Sequence, residues 1–239
     1  MHLKSVTLNP DRYPVRDTYP FHLPAFQQTP GLRFETPVTL FTGENGTGKS
    51  TLLEAIARRS GIHIWQAVEG RRIRRNPYEK KFCEYISVEW TDGRVPGSFF
   101  GAAVFRDFAR IIEEWAAADP GQLDYLGGRS FLTQSHGQSV MSFFRARYAI
   151  RGLYLMDEPE TALSPRSQIE LLEVLAAAGR AGNVQFIMAT HSPILLACPG
   201  AVIYSFDRIP IAPVNYEDTE NYRLYRSFMD NREKYLDRG

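Results

Sequence analysis

Eight consecutive residues, Gly43-Glu44-Asn45-Gly46-Thr47-Gly48-Lys49-Ser50, carry the strongest chemical signal in this chain of 239 residues. They form a GxxxxGK(S/T) string. Its glycines let the backbone curl so that successive N–H groups point inward at phosphate oxygens. A helix that starts at the string adds its positive end. Lys49 places a charge on the terminal phosphates, and Ser50 offers a hydroxyl to Mg²⁺. Gly43, Asn45, Gly46, Gly48, Lys49, Ser50 and Thr51 are therefore the candidate phosphate-binding set.

Two further groups stand at the ends of apolar runs. Leu153–Met156 leads into Asp157-Glu158. The carboxyl end of a buried strand is where α/β folds place ligands. Asp157 suits the Mg²⁺ shell, directly or through water, and Glu158 suits polarising an attacking water. The run Val184–Thr190 leads into His191, 34 residues beyond Asp157, which leaves room for one helix and one return strand. An imidazole there suits hydrogen bonding to a phosphoryl oxygen and an attacking water together. Glu158 and His191 are the candidate catalytic residues; Ser50 and Asp157 are the candidate metal ligands.

The elements that must position these groups follow from pattern. Strands are expected at Leu3–Leu8, Pro37–Gly43, Lys81–Trp90, Leu153–Met156, Val184–Thr190 and Val202–Phe206. Helices are expected at Ser50–Arg59, Val104–Ala118, about Ser139–Tyr148 and from Pro165 to about Gly179. Apolar strands alternating with helices predict an α/β fold with a mainly parallel central sheet flanked by helices. Thr91-Asp92-Gly93 is a turn signal, so Val95–Phe100 is expected to return antiparallel to Lys81–Trp90 and form an antiparallel β appendage. The chain reads as a single domain over residues 1–239. Residues of about 1–97 and 151–239 make the nucleotide-binding core with its appendage, and about 98–150 make a small helical lobe. Thr219–Leu236 reads as amphipathic helix docked on the body through Leu224, Phe228 and Met229.

Composition excludes the extremes. With 44% hydrophobic and 23% charged residues the chain is neither disordered nor a coiled-coil rod. Its 28 basic and 27 acidic side chains leave +1, so overall charge points to neither nucleic acid nor membrane. The two cysteines, Cys83 and Cys198, form no CxxC and no zinc pattern. A reduced cytoplasm fits, and no stretch reaches the ~20 apolar residues a bilayer needs. One local cluster stands out between Arg58 and Lys81: Arg58, Arg59, Arg71, Arg72, Arg74, Arg75, Lys80 and Lys81, against Glu69 and Glu79. It reads first as a solvated hairpin, with a nucleic-acid backbone or an acidic partner as the alternative. Tyr13, Tyr19, Phe21 and Phe26, upstream of the glycine-rich string, read as core or loop packing, with base stacking as the alternative.

Taken together, these motifs resemble the ABC-type ATPases, in particular the soluble SMC/RecF-like branch of P-loop NTPases. GENGTGKST is similar to that family's Walker A, LYLMDEPE to its Walker B, ETALSP to its D-loop and ATHSP to its H-loop. Gln134-Ser135-His136-Gly137-Gln138 resembles the LSGGQ signature, 22 residues before Walker B when measured from Ser135. The stretch from Ser135 to about Arg226 further resembles a compact bacterial group of ATPases of this type. The resemblance implies ATP and Mg²⁺ as cofactors. It also implies a head-to-tail homodimer in which Ser135 and Gly137 meet the γ-phosphate held by the second copy. A polar helix cap is the other reading of SHGQS.

Three departures qualify the implied activity. Gln134 and His136 replace the Leu and first Gly of the signature, Ser164 replaces the D-loop Asp, and Ala103 stands where a Q-loop glutamine is expected. They imply slow or partner-dependent hydrolysis. The leading expectation is an ATPase whose ATP-dependent dimerisation drives a protein partner or a nucleic-acid transaction. The alternative is an ATP-controlled scaffold in a defence or toxin-type assembly. A small-molecule kinase fits less well, because DEPE followed by THSP suits a site that activates water.

Overall fold

A computed structural model describes residues 1–65, 76, 78–101 and 136–236. The expected helix at 104–118, the glycine-rich loop before residue 136, Ala103 and Ser135 lie outside the described residues.

Two sheets are present. The larger one has seven strands in the order β10-β9-β3-β8-β7-β6-β4. These are β3 (Val38–Thr42), β4 (His63–Trp65), β6 (Gly97–Phe100), β7 (Gly152–Asp157), β8 (Val184–Ala189), β9 (Val202–Ser205) and β10 (Ala212–Val214). All neighbouring pairs are parallel except β9–β10. The smaller sheet is antiparallel, β2-β1-β5, from β1 (Leu3–Leu8), β2 (Gly31–Arg33) and β5 (Ile86–Trp90).

The expected parallel sheet is therefore present, but the antiparallel return is corrected. The Thr91–Gly93 turn does not make a hairpin. β5 pairs with β1, while β6 crosses to the large sheet and lies parallel between β7 and β4. The reason is burial. Ser98, Phe99 and Phe100 are all buried, the continuous pattern of a strand covered on both faces, whereas β5 alternates buried or half-buried positions with exposed ones. The first half of the expected Lys81–Trp90 strand is a 3₁₀ helix over Glu79–Tyr85.

Strand alternation sorts the core into two halves. Leu153, Leu155, Ile187 and Ala189 face one side, with Leu52, Leu53 and Ile56 of α2 (Lys49–Ser60) and the small sheet. Tyr154, Met156, Phe186 and Met188 face the other. There they meet Val140 and Phe144 of α3 (His136–Arg147), Leu171 and Leu175 of α4 (Pro165–Ala181), and Leu195 of α5 (Pro193–Leu196). Both α3 and α4 overrun their expected bounds: α3 opens three residues early, and α4 runs on to a Gly182 C-cap with φ +72°. Pro24–Gln28 forms a short α1.

The C-terminal segment is α6 (Glu220–Asp230) and α7 (Glu233–Leu236). The expected docking of its stripe is overturned. Leu224 is 50% exposed and Met229 79% exposed, and α6 has no buried residue. Its first turn makes the attachment: Thr219 caps the helix, Tyr222 packs on Tyr216, and Asn221 bonds to the loop after β8. The stripe begins beyond that turn.

Gln185 joins the two sheets. It lies fully buried on β8, where its Oε1 accepts from the N–H groups of His2 (2.9 Å) and Leu3 (2.7 Å) and its Nε2 donates to the Leu3 carbonyl (2.9 Å). A side chain thus supplies the ladder bonds that no neighbouring strand supplies to the start of β1. Gln185→Leu strands three backbone groups in the core. It is expected to lower stability by about 3 kcal/mol, read as a lower urea midpoint with an unchanged slope.

Candidate functional site

β3, β7, β8 and β9 end together at one edge of the large sheet. The register pairs Phe41 and Asp157 with Ala189, and Thr42 with Ser205. Whatever stands at these ends is delivered to one place: the glycine-rich turn after β3, Asp157 at the end of β7 with Glu158 after it, His191 after β8 and Asp207 after β9.

The turn is shaped as its sequence requires. Gly43, Gly46 and Gly48 have φ of +140°, +81° and +102°. Gly48 is also sterically fixed, because a Cβ there would lie 2.6 Å from Phe26 Cζ. The aromatic N-terminal segment is thus the floor on which the turn is laid. Tyr13, Phe21 and Phe26 are buried in it, with Phe26 stacked on Phe82 at 4.5 Å, which agrees with the core-packing reading. Tyr19 differs, as its hydroxyl hydrogen-bonds to Thr51 Oγ1 at the start of α2.

Lys49 is buried, and its ammonium donates to the carbonyls of Gly43 (2.7 Å) and Glu44 (2.8 Å). Burial lowers its pKa, while Glu158, Asp207, Asp157 and Glu44 oppose the shift. Ser50 Oγ donates to Asp157 Oδ1 at 2.9 Å. A hydroxyl and a carboxylate within one hydrogen bond form a hard-oxygen donor pair. This fits Mg²⁺, which takes few protein ligands and fills its shell with phosphate oxygens and water. Burial pushes the Asp157 carboxyl up to about 7, helped by Glu158 and Glu160, against the Ser50 hydroxyl and Lys49.

Glu158 is the single non-glycine residue with positive φ among the described residues, at φ +49° and ψ +54°. Its Oε1 lies 3.7 Å from His191 Nε2, which is buried with no hydrogen-bond partner among the described residues. Burial, and then Lys49, lower the His191 pKa, so the ring is neutral near pH 7. Ser164, standing where the D-loop Asp was expected, caps α4 by accepting from Ser167 N–H at 3.2 Å.

The structure thus brings together the residues of the turn with Asp157, Glu158 and His191. Of Gly137 it gives the helical backbone at the start of α3, while Ser135 lies outside the described residues. In the basic cluster, Arg58 bonds to Glu54 through Nε at 2.9 Å, and Lys80 and Lys81 are exposed. Arg71, Arg72, Arg74 and Arg75 lie outside the described residues.

Three residues at the site carried no role in the sequence reading. Asp207 Oδ1 accepts from the Glu44 N–H at 2.8 Å. It could have been found by the strand-end rule that found His191, since it directly follows the Val202–Phe206 run. Glu160 Oε1 accepts from the His191 N–H at 2.6 Å, and Asn221 Nδ2 donates to the His191 carbonyl. Glu160 falls within the LYLMDEPE and ETALSP strings, which gave it no role of its own, and no local pattern marks Asn221.

The chain resembles known proteins in sequence and in fold. Residues 131–197 match a family described as "AAA domain, putative AbiEii toxin, Type IV TA system", and residues 24–58 match one described as "AAA domain". The chain is 26% identical over 178 residues to a Bacillus subtilis protein named "Probable siderophore transport system ATP-binding protein", covering 67% of this chain and 63% of that one. It is 27% identical over 172 residues to a Geobacter sulfurreducens protein named "Putative ABC transporter ATP-binding protein", covering 63% and 58%. The match therefore spans about three fifths of those relatives' own length. The SMC head domain of Thermotoga maritima superposes with a TM-score of 0.52 at 15% identity, covering 90% of this chain and all of that one.

The fold is that of a P-loop ABC/SMC-like ATPase. The strings that resemble Walker A, Walker B and the H-loop meet at the sheet edge just described. No helix among the described residues is long and apolar enough to cross a membrane.

The raised Asp157 pKa has a consequence for stability. An acid near 7 in the fold and at its ordinary 3.8 in the unfolded chain holds its proton more tightly when folded. Its contribution is present in full below the lower value and is lost as pH rises to the upper one. Asp157→Asn removes that loss. Without nucleotide, the Tm of wild type is expected to fall relative to that of Asp157→Asn between pH 4.5 and pH 7.5, as checked by calorimetry of both proteins.

Proposed function

We propose that the protein binds ATP with Mg²⁺ at the carboxyl edge of its parallel sheet and hydrolyses it to ADP and phosphate. The observation that carries this reading is the 2.9 Å bond from Ser50 to Asp157, which joins two motifs 107 residues apart in one donor pair. The names of the two curated relatives as ATP-binding proteins support the choice of nucleotide.

Each residue then has a physical task. The backbone N–H groups of Gly46, Gly48, Lys49 and Ser50, with Asn45 and Thr51 beside them, take the phosphate oxygens, and the Lys49 ammonium meets the terminal phosphates. Ser50 and Asp157 hold Mg²⁺. When bound, the ion neutralises charge that builds on the phosphates. Glu158 accepts a proton from the water whose oxygen attacks the γ-phosphorus as the bond to ADP breaks. His191, neutral and with a free Nε2, holds a phosphoryl oxygen in place. Phosphoryl transfer of this kind needs little covalent help, so positioning and charge supply most of the effect.

In this reading ATP also joins two copies head to tail, with Ser135 and Gly137 of one copy completing the phosphate site of the other. The closed dimer then acts on a protein partner or, through the Arg58–Lys81 cluster, on nucleic acid. A second reading, an ATP-controlled scaffold with little hydrolysis in a defence or toxin-type assembly, is favoured by the printed description of the family matched over residues 131–197.

Lys49→Ala is expected to abolish the rise in Tm that ATP–Mg²⁺ gives the wild type, since a ligand stabilises only a native state that binds it. Glu158→Gln is expected to keep that rise while turnover falls by about 10²-fold or more, measured by phosphate release. A wild type that shows the rise and releases no phosphate supports the scaffold.

Glu158→Gln is also expected to double its mass in light scattering with ATP–Mg²⁺ and to stay monomeric with ADP, because only the triphosphate gives both halves a shared anion to grip. Ser135→Arg in the same background is expected to keep it monomeric with ATP while the rise in Tm persists.

A further inference from the structure

His191 stands beyond the last ladder bond of its strand. β8 ends at Ala189, and the N–H of Thr190 donates to the Phe41 carbonyl at 3.0 Å. From His191 onward no neighbouring strand fixes the backbone. Both main-chain polar groups of His191 are instead taken by side chains from other elements. Glu160 Oε1, in the 3₁₀ turn Pro159–Ala162 after β7, accepts its N–H at 2.6 Å, and Asn221 Nδ2, in the first turn of α6, donates to its carbonyl. The ring's Nε2 makes no hydrogen bond among the described residues and lies 3.7 Å from Glu158 Oε1. The two main-chain bonds are therefore the hydrogen bonds that fix where the ring is carried.

We infer that Glu160 and Asn221 are positioning residues for His191, a two-sided main-chain clamp that aims its imidazole at the γ-phosphate position beside Glu158. The inference rests on the ATPase reading above for the role of His191, and on the two hydrogen bonds for the clamp.

The clamp has the chemistry it needs. Glu160 can only accept when ionised, and the N–H it faces can only donate. Its second oxygen, Oε2, is buried without a hydrogen-bond partner among the described residues. Burial raises the pKa of so buried a carboxyl, and the His191 N–H and the Thr190 hydroxyl, as donors to it, oppose that shift. Asn221 supplies the complementary donor from the opposite direction. On the far side of His191, Ser192 Oγ donates to Gln168 Oε1 at 2.5 Å and accepts from the N–H groups of Ile194 and Leu195. The residue after the clamp is thereby locked as the cap of α5. Rotation about His191 is blocked at both of its peptide planes, and a displaced general acid or hydrogen-bond donor loses rate steeply even when substrate still binds.

The test uses the full chain and four variants: Asn221→Ala, Glu160→Ala, His191→Ala, and Asn221→Ala combined with His191→Ala. Two readouts are taken. One is ATP turnover at saturating ATP–Mg²⁺, with the rise in Tm as the control for binding. The other is the ring resonance of His191 in nucleotide-free protein carrying ¹³C-labelled histidine, assigned by its loss in His191→Ala. Asn221→Ala and Glu160→Ala are expected to lower kcat about tenfold with the Tm rise retained, and to move the ring resonance toward that of an exposed histidine. Asn221→Ala is expected to have no further effect once His191 is Ala, because a residue acting through another loses its effect with it.

A kcat that falls while the resonance stays in place overturns the clamp, as does a full additive loss in the combined variant. A resonance that moves without change in kcat overturns it for the reaction. If the wild type releases no phosphate, the resonance decides alone: a shift in both single variants upholds the clamp and removes the hydrolytic role of His191, and a fixed resonance removes both. Glu160→Gln, which keeps an acceptor oxygen, is expected to restore the ring position if Glu160→Ala proves too unstable to read.

Discussion

The structure depends on register. Four adjacent strands, β9, β3, β8 and β7, run parallel and are paired so that their carboxyl ends fall level. Residues far apart in sequence arrive at a common edge because each stands at, or within two residues of, the carboxyl end of a strand. A slip of one residue in β7 would turn Tyr154 and Met156 to the opposite face and withdraw Asp157 from Ser50. The two-sided core resists such a slip, since Leu153 and Leu155 are buried on one face and Tyr154 and Met156 on the other. Packing chosen for the interior thus sets the positions of polar groups at the rim.

That edge concentrates charge of one sign. Glu44, Asp157, Glu158 and Asp207 surround the single ammonium of Lys49. Burial, with Glu158 and Glu160 adding to it, raises the carboxyl of Asp157 to about 7, and Lys49 is lowered chiefly by burial. Such an arrangement suits a ligand that brings its own cation, because a divalent ion balances the carboxylates while the turn's N–H groups take the phosphates. Asp207 and the Glu44 N–H show the same economy on the outer side of the turn, where a carboxylate satisfies a backbone donor of the curled loop.

The strand ends were the most legible part of the sequence. Glycine spacing and apolar runs located the phosphate turn, Asp157, Glu158 and His191, because these signals are local and are imposed by backbone geometry. The small sheet was only half legible. The Thr91–Gly93 turn signal was real as a bend, yet β5 and β6 part after it, since which strand a segment pairs with depends on burial on both faces. β2, β4 and β10 have three residues each, too few for an alternation to show. The stripe on α6 looked like a core-facing pattern and is not one, because amphipathicity records which residues are apolar and not what covers them. Asn221 left no trace and Glu160, though inside a quoted motif, showed no role, as their partner is a main-chain group whose position only the assembled sheet determines.

The left-handed backbone of Glu158 bears on how this position is free to vary. With φ +49° and ψ +54°, and with Thr161 N–H and Oγ1 both donating to its carbonyl, the residue is held in a conformation that glycine or asparagine adopts at less cost. Selection for a durable fold alone would drive position 158 toward those residues, and a glutamate kept there opposes a steady pull of about 1 kcal/mol. A change to glycine or asparagine there would relax the backbone while removing the carboxylate, so this position can gain stability only by changing its chemistry; Gly48, by contrast, cannot take a side chain without displacing Phe26.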